Sequence, residues 1–248
     1  MDAGMRPGTV IRTIGSNKSS NSLPIMTTVF IVRRGAQRTR ATQAHLEASR
    51  ELTVLGVADS LYRAQSVLPR LNPDALLIDL RLEDGAALSL VQGLRARQAE
   101  RPKVMLVAAD ANDALLFATL RAGADAYLLE ADLPIAASML RRMTAGEASM
   151  AAAIAVQVLQ FFNEPVAAPK TAAPVNDRVQ DWHTHGTNPM RLSPAEHRLV
   201  QSLAQGARAA EVAARMAISV EALGRRIGNV YRKLSWDVRS GSLSLLAA

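Results

Sequence analysis

The sequence predicts an α/β unit built on a doubly wound, five-stranded parallel sheet, followed by a small all-α unit with a C-terminal helix-turn-helix. Three observations predict this. Five short apolar runs alternate with helical patterns over the first two thirds of the chain. A stretch with four prolines and no periodicity, Asn163–Pro189, separates the two parts. The last quarter opens on an unambiguous helix start and carries a long amphipathic stripe.

The five runs are Val29–Val32, Thr53–Val57, Ala75–Ile78, Val104–Val107 and Ala126–Leu129. Continuous apolar runs of this length suit parallel strands covered on both faces. Between and after them lie helical stretches at Ala36–Ser49, Ser60–Arg70, Ala86–Gln98, Ala111–Ala122 and Leu133–Thr144. In such a sheet the functional groups collect at the carboxyl ends of the strands. A further stretch, Ala148–Phe162, is apolar at Ile154, Val158, Leu159 and Phe162. It reads equally as an extra helix on the core or as a dimer or interdomain helix.

The C-terminal unit starts at Ser193-Pro194-Ala195-Glu196, a capping serine, a proline at the first helical position and a glutamate at the third. Leu199, Val200 and Leu203 form its apolar face, and Gly206 ends it. A short helix follows at Ala209–Met216, and Ser219 caps the next. That third helix aligns Val220, Leu223, Ile227, Val230, Tyr231 and Leu234 on one face and Arg225, Arg226, Asn229, Arg232 and Lys233 on the other. Ser240–Ala248 can supply a short terminal helix.

Charge supports the division. Residues 28–164 carry 15 Lys/Arg against 15 Asp/Glu, whereas residues 190–248 carry 9 against 4, so the basic excess of the chain sits mainly in its last quarter. That is the footprint of a nucleic-acid-binding unit attached to a neutral one. With no cysteine, the chain has no disulfide, thiolate metal site or cysteine nucleophile, and it suits a reducing cytoplasm. No apolar stretch approaches the ~20 residues that span a bilayer, so no membrane partner is expected. Residues 1–26 read as a disordered extension, with Met26 a candidate natural start. Four divisions result: 1–26; 27–147, the α/β unit; 148–189, a helix and flexible linker; and 190–248, the helix-turn-helix unit. His183 and His185 fall in the linker without further ligands, so they read as solvated and no metal is expected.

Both halves resemble response regulators of the LuxR/NarL type. Pro73-Asp74-Ala75-Leu76-Leu77-Ile78-Asp79-Leu80-Arg81 looks like the third strand of a receiver domain ending in its phospho-acceptor. Leu120-Arg121-Ala122-Gly123-Ala124-Asp125-Ala126-Tyr127-Leu128-Leu129 is similar to the segment from fourth helix to fifth strand. Leu192-Ser193-Pro194-Ala195-Glu196 and Arg232-Lys233-Leu234 are similar to the start and late part of a LuxR-type DNA-binding domain. The resemblance implies a flavodoxin-like receiver, a linker and a DNA-binding helix-turn-helix.

It also exposes where the receiver chemistry fails. Aspartyl phosphorylation needs a carboxylate, and Asp79 supplies it. It needs hard oxygen ligands for Mg²⁺ after the first strand, where Arg33 and Arg34 stand instead. It needs a hydroxyl after the fourth strand, where Ala108 stands, and a lysine after the fifth, where Glu130 stands. The remaining pocket groups Arg33, Arg34, Asp79 and Glu130, and internal ion pairing is expected because a buried acid without Mg²⁺ needs a cation. An anion or metabolite site lined by arginine is the alternative. Tyr127 matches the family's switch aromatic and reads equally as a packed strand tyrosine.

For DNA, the resemblance places the third helix in the major groove. Arg225 and Arg226 are the candidate base readers, and Arg208, Asn229, Arg232 and Lys233 complete the candidate DNA surface. Ala210 and Gly224 stand where the family has lysines. Gly224 and Gly228 weaken the helix interior by ~1 kcal/mol each relative to alanine; they mark close approach of another backbone, or a helix that firms on DNA. The chain is thus expected to be an atypical, phosphorylation-independent transcription regulator of a two-component system. It would act as a homodimer, with no cofactor and no enzymatic activity. A scaffold that titrates another regulator protein, and a small-anion sensor, are the competing classes.

Overall fold

A computed structural model describes residues 26–95, 101–163 and 191–243, with side chains described as far as Ser235. The bulk of the expected N-terminal extension, the linker with its two histidines, and residues 244–248 lie outside these residues.

The α/β unit follows the expected order, with four of the five strands running past their expected ends and the helices shortened or shifted. Its strands are β1 (Thr27–Val32), β2 (Leu52–Ala58), β3 (Ala75–Asp79), β6 (Lys103–Ala108) and β7 (Ala126–Leu129). They form one parallel sheet in the order β2-β1-β3-β6-β7. This is the doubly wound arrangement whose switch point opens between the carboxyl ends of β1 and β3. β3 lies in the middle and every one of its residues is buried. β2 alternates buried and half-buried residues because it is an edge strand with one side unpaired. β1 and β2 are out of step between Val29 and Phe30, a bulge that skips Leu55.

The helices are α1 (Ala36–Ala48), α2 (Leu61–Leu71), α3 (Ala87–Arg95), α4 (Ala114–Ala122), α5 (Ala136–Thr144) and α6 (Ala152–Asn163). A two-residue hairpin, β4 (Arg81–Leu82) with β5 (Gly85–Ala86), follows β3 and was not expected from sequence. Caps set several boundaries. Ser60 accepts the Arg63 N–H and Asp84 accepts those of Leu61 and Tyr62, fixing the start of α2. Asp113 caps α4, which therefore begins at Ala114 and not at Ala111. The single helix expected over Leu133–Thr144 divides into a 3₁₀ segment, Glu130–Ile135, and α5. Pro134 is the reason, since it lacks an amide donor and disfavours a helical Leu133.

The C-terminal unit contains α7 (Pro194–Ala204), α8 (Ala209–Arg215) and α9 (Val220–Leu243). The capping box forms as expected at Ser193 and Glu196. α9 runs unbroken to Leu243, so Ser240–Leu243 continue it and do not start the separate terminal helix expected there.

Two apolar layers cover the sheet. Val29, Ile31, Leu77, Met105 and Leu128 face α1 and α5. Phe30, Ile78, Leu106, Leu116 and Leu120 face the other way, in a layer continuous with Ile154 and Val158 of α6 and Leu199, Leu223 and Ile227 of the helical unit. α6 thus joins the two cores. Residues 148–151, expected in that helix, lie outside any helix or strand and form a strap bonded to α9 through Ala148 and Ser149.

Candidate functional site

The carboxyl ends of β1 and β3 bring Arg33 and Asp79 together. Arg33 is 1% exposed, one of the largest fully buried side chains among the described residues. Such a cation needs partners on every side, and it has three. Nε donates to Asp79 Oδ1 at 2.8 Å, Nη1 donates to Thr42 Oγ1 at 2.8 Å, and Nη2 donates to Glu130 Oε2. The second Asp79 oxygen accepts the Arg34 backbone N–H at 2.8 Å. Arg33 therefore supplies its side chain to the pocket, whereas Arg34 supplies its backbone and leaves its side chain exposed. Thr39 ties the turn, its hydroxyl lying 3.0 Å from the carbonyls of both Arg33 and Gly35.

Electrostatics follow from this packing. Burial raises the Asp79 carboxyl, opposed by the Arg34 N–H and the Arg33 charge. For Arg33, burial would lower its pKa, but the hydrogen bond it donates to Glu130 and the charges of both acids outweigh that and raise it. The residues present do not fit a magnesium ion. Both Asp79 oxygens are engaged, and a guanidinium and an amide N–H face them where a metal would demand oxygen ligands. Ala108, buried at the end of β6, offers no hydroxyl to a phosphoryl group. Across the mouth, Arg81 grips Asp113 through two bonds of 3.1 and 3.0 Å. Among the described residues, no group of three or more His, Asp or Glu side chains is placed to hold a metal.

Thr42 was missed from sequence. Its signal was the spacing Thr39, Thr42, Leu46, which puts two threonines on the inner face of α1, where all three are buried.

Tyr127 points inward, 5% exposed, and its hydroxyl accepts the Ala151 N–H at 2.8 Å. On the other side of the strap the Tyr231 hydroxyl donates to the Ser149 carbonyl at 2.8 Å. Between them the Ala148 N–H donates to the Gly224 carbonyl at 3.0 Å. A Cβ placed on Gly228 would lie 2.6 Å from the Gly146 carbonyl oxygen, and one on Gly224 would lie 3.1 Å from the Glu147 Cβ. The two glycines are where the strap backbone meets the helix.

The candidate DNA residues are scattered in exposure and commitment. Arg208 is open to solvent and pairs with Glu211. Arg225 is exposed and lies 3.9 Å from Glu147, which also binds Arg142. Arg226 and Asn229 are half-buried, and Asn229 accepts from Arg232, which is exposed. Lys233 is drawn inward to Glu196 at 2.6 Å and to the Arg191 carbonyl, so it braces the capping box.

Among proteins of known description, a nitrate/nitrite response regulator homologue of Haemophilus influenzae is 27% identical over 173 residues, which is 68% of this chain and 72% of that one. The chain is similar in sequence to response regulators. The DNA-binding transcriptional activator DevR/DosR of Mycobacterium tuberculosis is 32% identical over 105 residues, 42% of this chain and 48% of that protein. The RcsB response regulator of Salmonella typhimurium superposes over 84% of this chain and 91% of its own, with 17% identity and a TM-score of 0.46. No protein-family model matches the chain. No helix among the described residues is long and apolar enough to cross a membrane.

Proposed function

We propose that this response regulator is a DNA-binding transcription regulator whose receiver works without phosphotransfer, and that it acts as a homodimer. The observation that carries this reading is the buried Arg33, which takes up Asp79 and Glu130 together. A phosphoryl group arriving at Asp79 would have to displace the Arg33 Nε and the Arg34 N–H, and no metal would offset its charge. The input is then a protein contact, a ligand or the amount of regulator.

DNA as the partner rests on the helix-turn-helix, on the basic excess of residues 190–248, and on the kinship with a regulator described as a DNA-binding activator. Arg225, Arg226 and Arg232 are the side chains of α9 best placed to serve it, with Arg208 at the start of α8 on the backbone. Lys233 is engaged by Glu196 and contributes least. The test is selection from a random-sequence DNA library, followed by mobility shift at rising salt. The expected result is sequence-competed binding with a steep salt dependence, identical before and after treatment with acetyl phosphate and Mg²⁺. Binding that tightens after treatment contradicts the reading.

One observation favours a second reading, a scaffold that sequesters another regulator: α9 is closed by its own chain at Gly224 and Gly228. Absence of any sequence-competed DNA binding, with co-purification of a second regulator, is its signature.

A further inference from the structure

We infer that the cleft between the amino ends of β6 and β7 and the side of α9 is a binding site for a phosphate group, held by Arg101 and Lys103 of the α/β unit and Arg232 of the helical unit. Lys103 opens β6 and Asp125 directly precedes β7, whereas Asp79 closes β3. In a parallel sheet these are opposite ends of the strands. The cleft is therefore separate from the Asp79 pocket, and its ligand would be independent of any phosphotransfer there.

Small residues leave the space. Gly123 and Gly146 line the cleft on the α/β side and Gly228 on the helical side. Gly146 takes a left-handed turn at φ +84°, and a Cβ on it would meet nothing within 4 Å. The cavity is small, about 30 Å³ where one water needs roughly 10–15 Å³. That suits a group of phosphate size and excludes a large buried ligand.

Charge selects the ligand. Asp125, with a side chain 10% exposed, accepts from two nitrogens of Arg101 at 2.7 and 3.1 Å, from Lys103 Nζ at 3.1 Å and from the Val104 N–H at 2.9 Å. One Asp125 oxygen, Oδ1, serves both cations and holds them side by side. Asp125 is thus a positioning residue: it anchors two cations while offsetting the charge of one. The other acid of the lining, Glu147, is taken by Arg142 at 2.9 Å. Arg232 is exposed and donates to the neutral Asn229 amide oxygen. Three cations then face one carboxylate, an excess of two positive charges. A phosphate monoester near pH 7 carries about −1.5 to −2, which matches that excess. An ammonium has three donors and a guanidinium five, so Lys103 and Arg232, each with one printed side-chain acid or amide partner here, keep donors for an oxyanion.

The test is calorimetric titration of the full chain at constant ionic strength, with inorganic phosphate in one arm and glycerol 3-phosphate in the other. Lys103→Gln, Arg232→Gln and Lys103→Arg are titrated alongside, and urea unfolding checks that each is folded. The expected result is saturable uptake of one equivalent by the parent, roughly tenfold weaker in each glutamine variant through loss of a charge-assisted hydrogen bond. Lys103→Arg, which keeps the charge, should retain uptake. Uptake of inorganic phosphate assigns the site to the free ion, and uptake of glycerol 3-phosphate alone assigns it to a phosphorylated metabolite. No saturable uptake in either arm overturns the site. Uptake unchanged in both glutamine variants overturns it as well, since the anion then binds elsewhere. Arg232 is exposed, so Arg232→Gln decides the matter even where a change at Lys103 disturbs folding.

Discussion

Replacing Arg33 with methionine keeps the length of the side chain and removes its charge. Asp79, with a side chain only 10% exposed, then loses its cation and keeps one hydrogen bond from the Arg34 N–H. Removing one partner of a buried ion pair costs about 3–5 kcal/mol. The bond to Glu130 adds little, because that carboxylate is 39% exposed and water replaces its partner. Protonation of Asp79 caps the loss. At pH 7 the cap is the work of protonating an unfolded aspartate of pKa about 3.9, about 4 kcal/mol, and at pH 5 it falls to about 1.5 kcal/mol. The sign follows from burial: a carboxyl raised in the folded state contributes stability below its unfolded pKa, and that contribution is lost as pH rises through the folded pKa. Urea unfolding of Arg33→Met should therefore show a deficit of about 3–4 kcal/mol at pH 7 that shrinks by half or more at pH 5. The double variant Arg33→Met/Asp79→Leu, with no buried charge, should recover most of the stability and lose the pH dependence. A deficit under 1 kcal/mol at pH 7, or one equal at both pH values, would refute the account of the pocket.

Other consequences are as direct. Asp125, 10% exposed, accepts from Arg101, Lys103 and the Val104 N–H; Asp125→Ala should destabilise the α/β unit by about 2–3 kcal/mol in thermal or urea unfolding. Glu196 is held below the usual carboxylate range: burial works to raise it, and Lys233 and Ser193 outweigh that. Its contribution is present above its unfolded pKa of about 4.3 and is lost as pH falls through the lower folded value. Circular dichroism between about pH 5 and pH 3 should show a shallower acid limb for Glu196→Gln, with the capping box retained because glutamine also serves at that position. Arg226→Ala should weaken binding to the selected DNA and relax its sequence preference by about 1–3 kcal/mol at one base pair, read by competition mobility shift.

Much of this was legible because burial is a strong constraint on a sheet. Val29–Val32 and Ala75–Ile78 had no other stable place than the middle of a covered sheet. The Arg33–Asp79 pair was legible for an electrostatic reason, since a buried carboxylate at the end of a central strand needs a cation. Which arginine turned inward was not, because Arg33 and Arg34 differ only in the side of the strand they leave from. Thr42 hid in a helix so polar that its inner face barely shows. The strap at 148–151 was read as helix because Ala-Ser-Met-Ala has good helical propensity, and bonds to Tyr127, Gly224 and Tyr231, far away in sequence, override it. Lys233 looked free for phosphate because its partner, Glu196, lies 37 residues away. Gly224 and Gly228 were legible as an anomaly, and of the two explanations open to them the close approach of another backbone is the one the fold contains.

The proposed function rests on Arg33 and the Arg34 N–H taking up both oxygens of Asp79. Intact-mass spectrometry of the full chain after incubation with acetyl phosphate and Mg²⁺ tests it most directly, with Asp79→Ala alongside. The account predicts no gain of phosphoryl mass in either protein. A stoichiometric phosphoryl adduct on the parent chain, absent from Asp79→Ala, would contradict it.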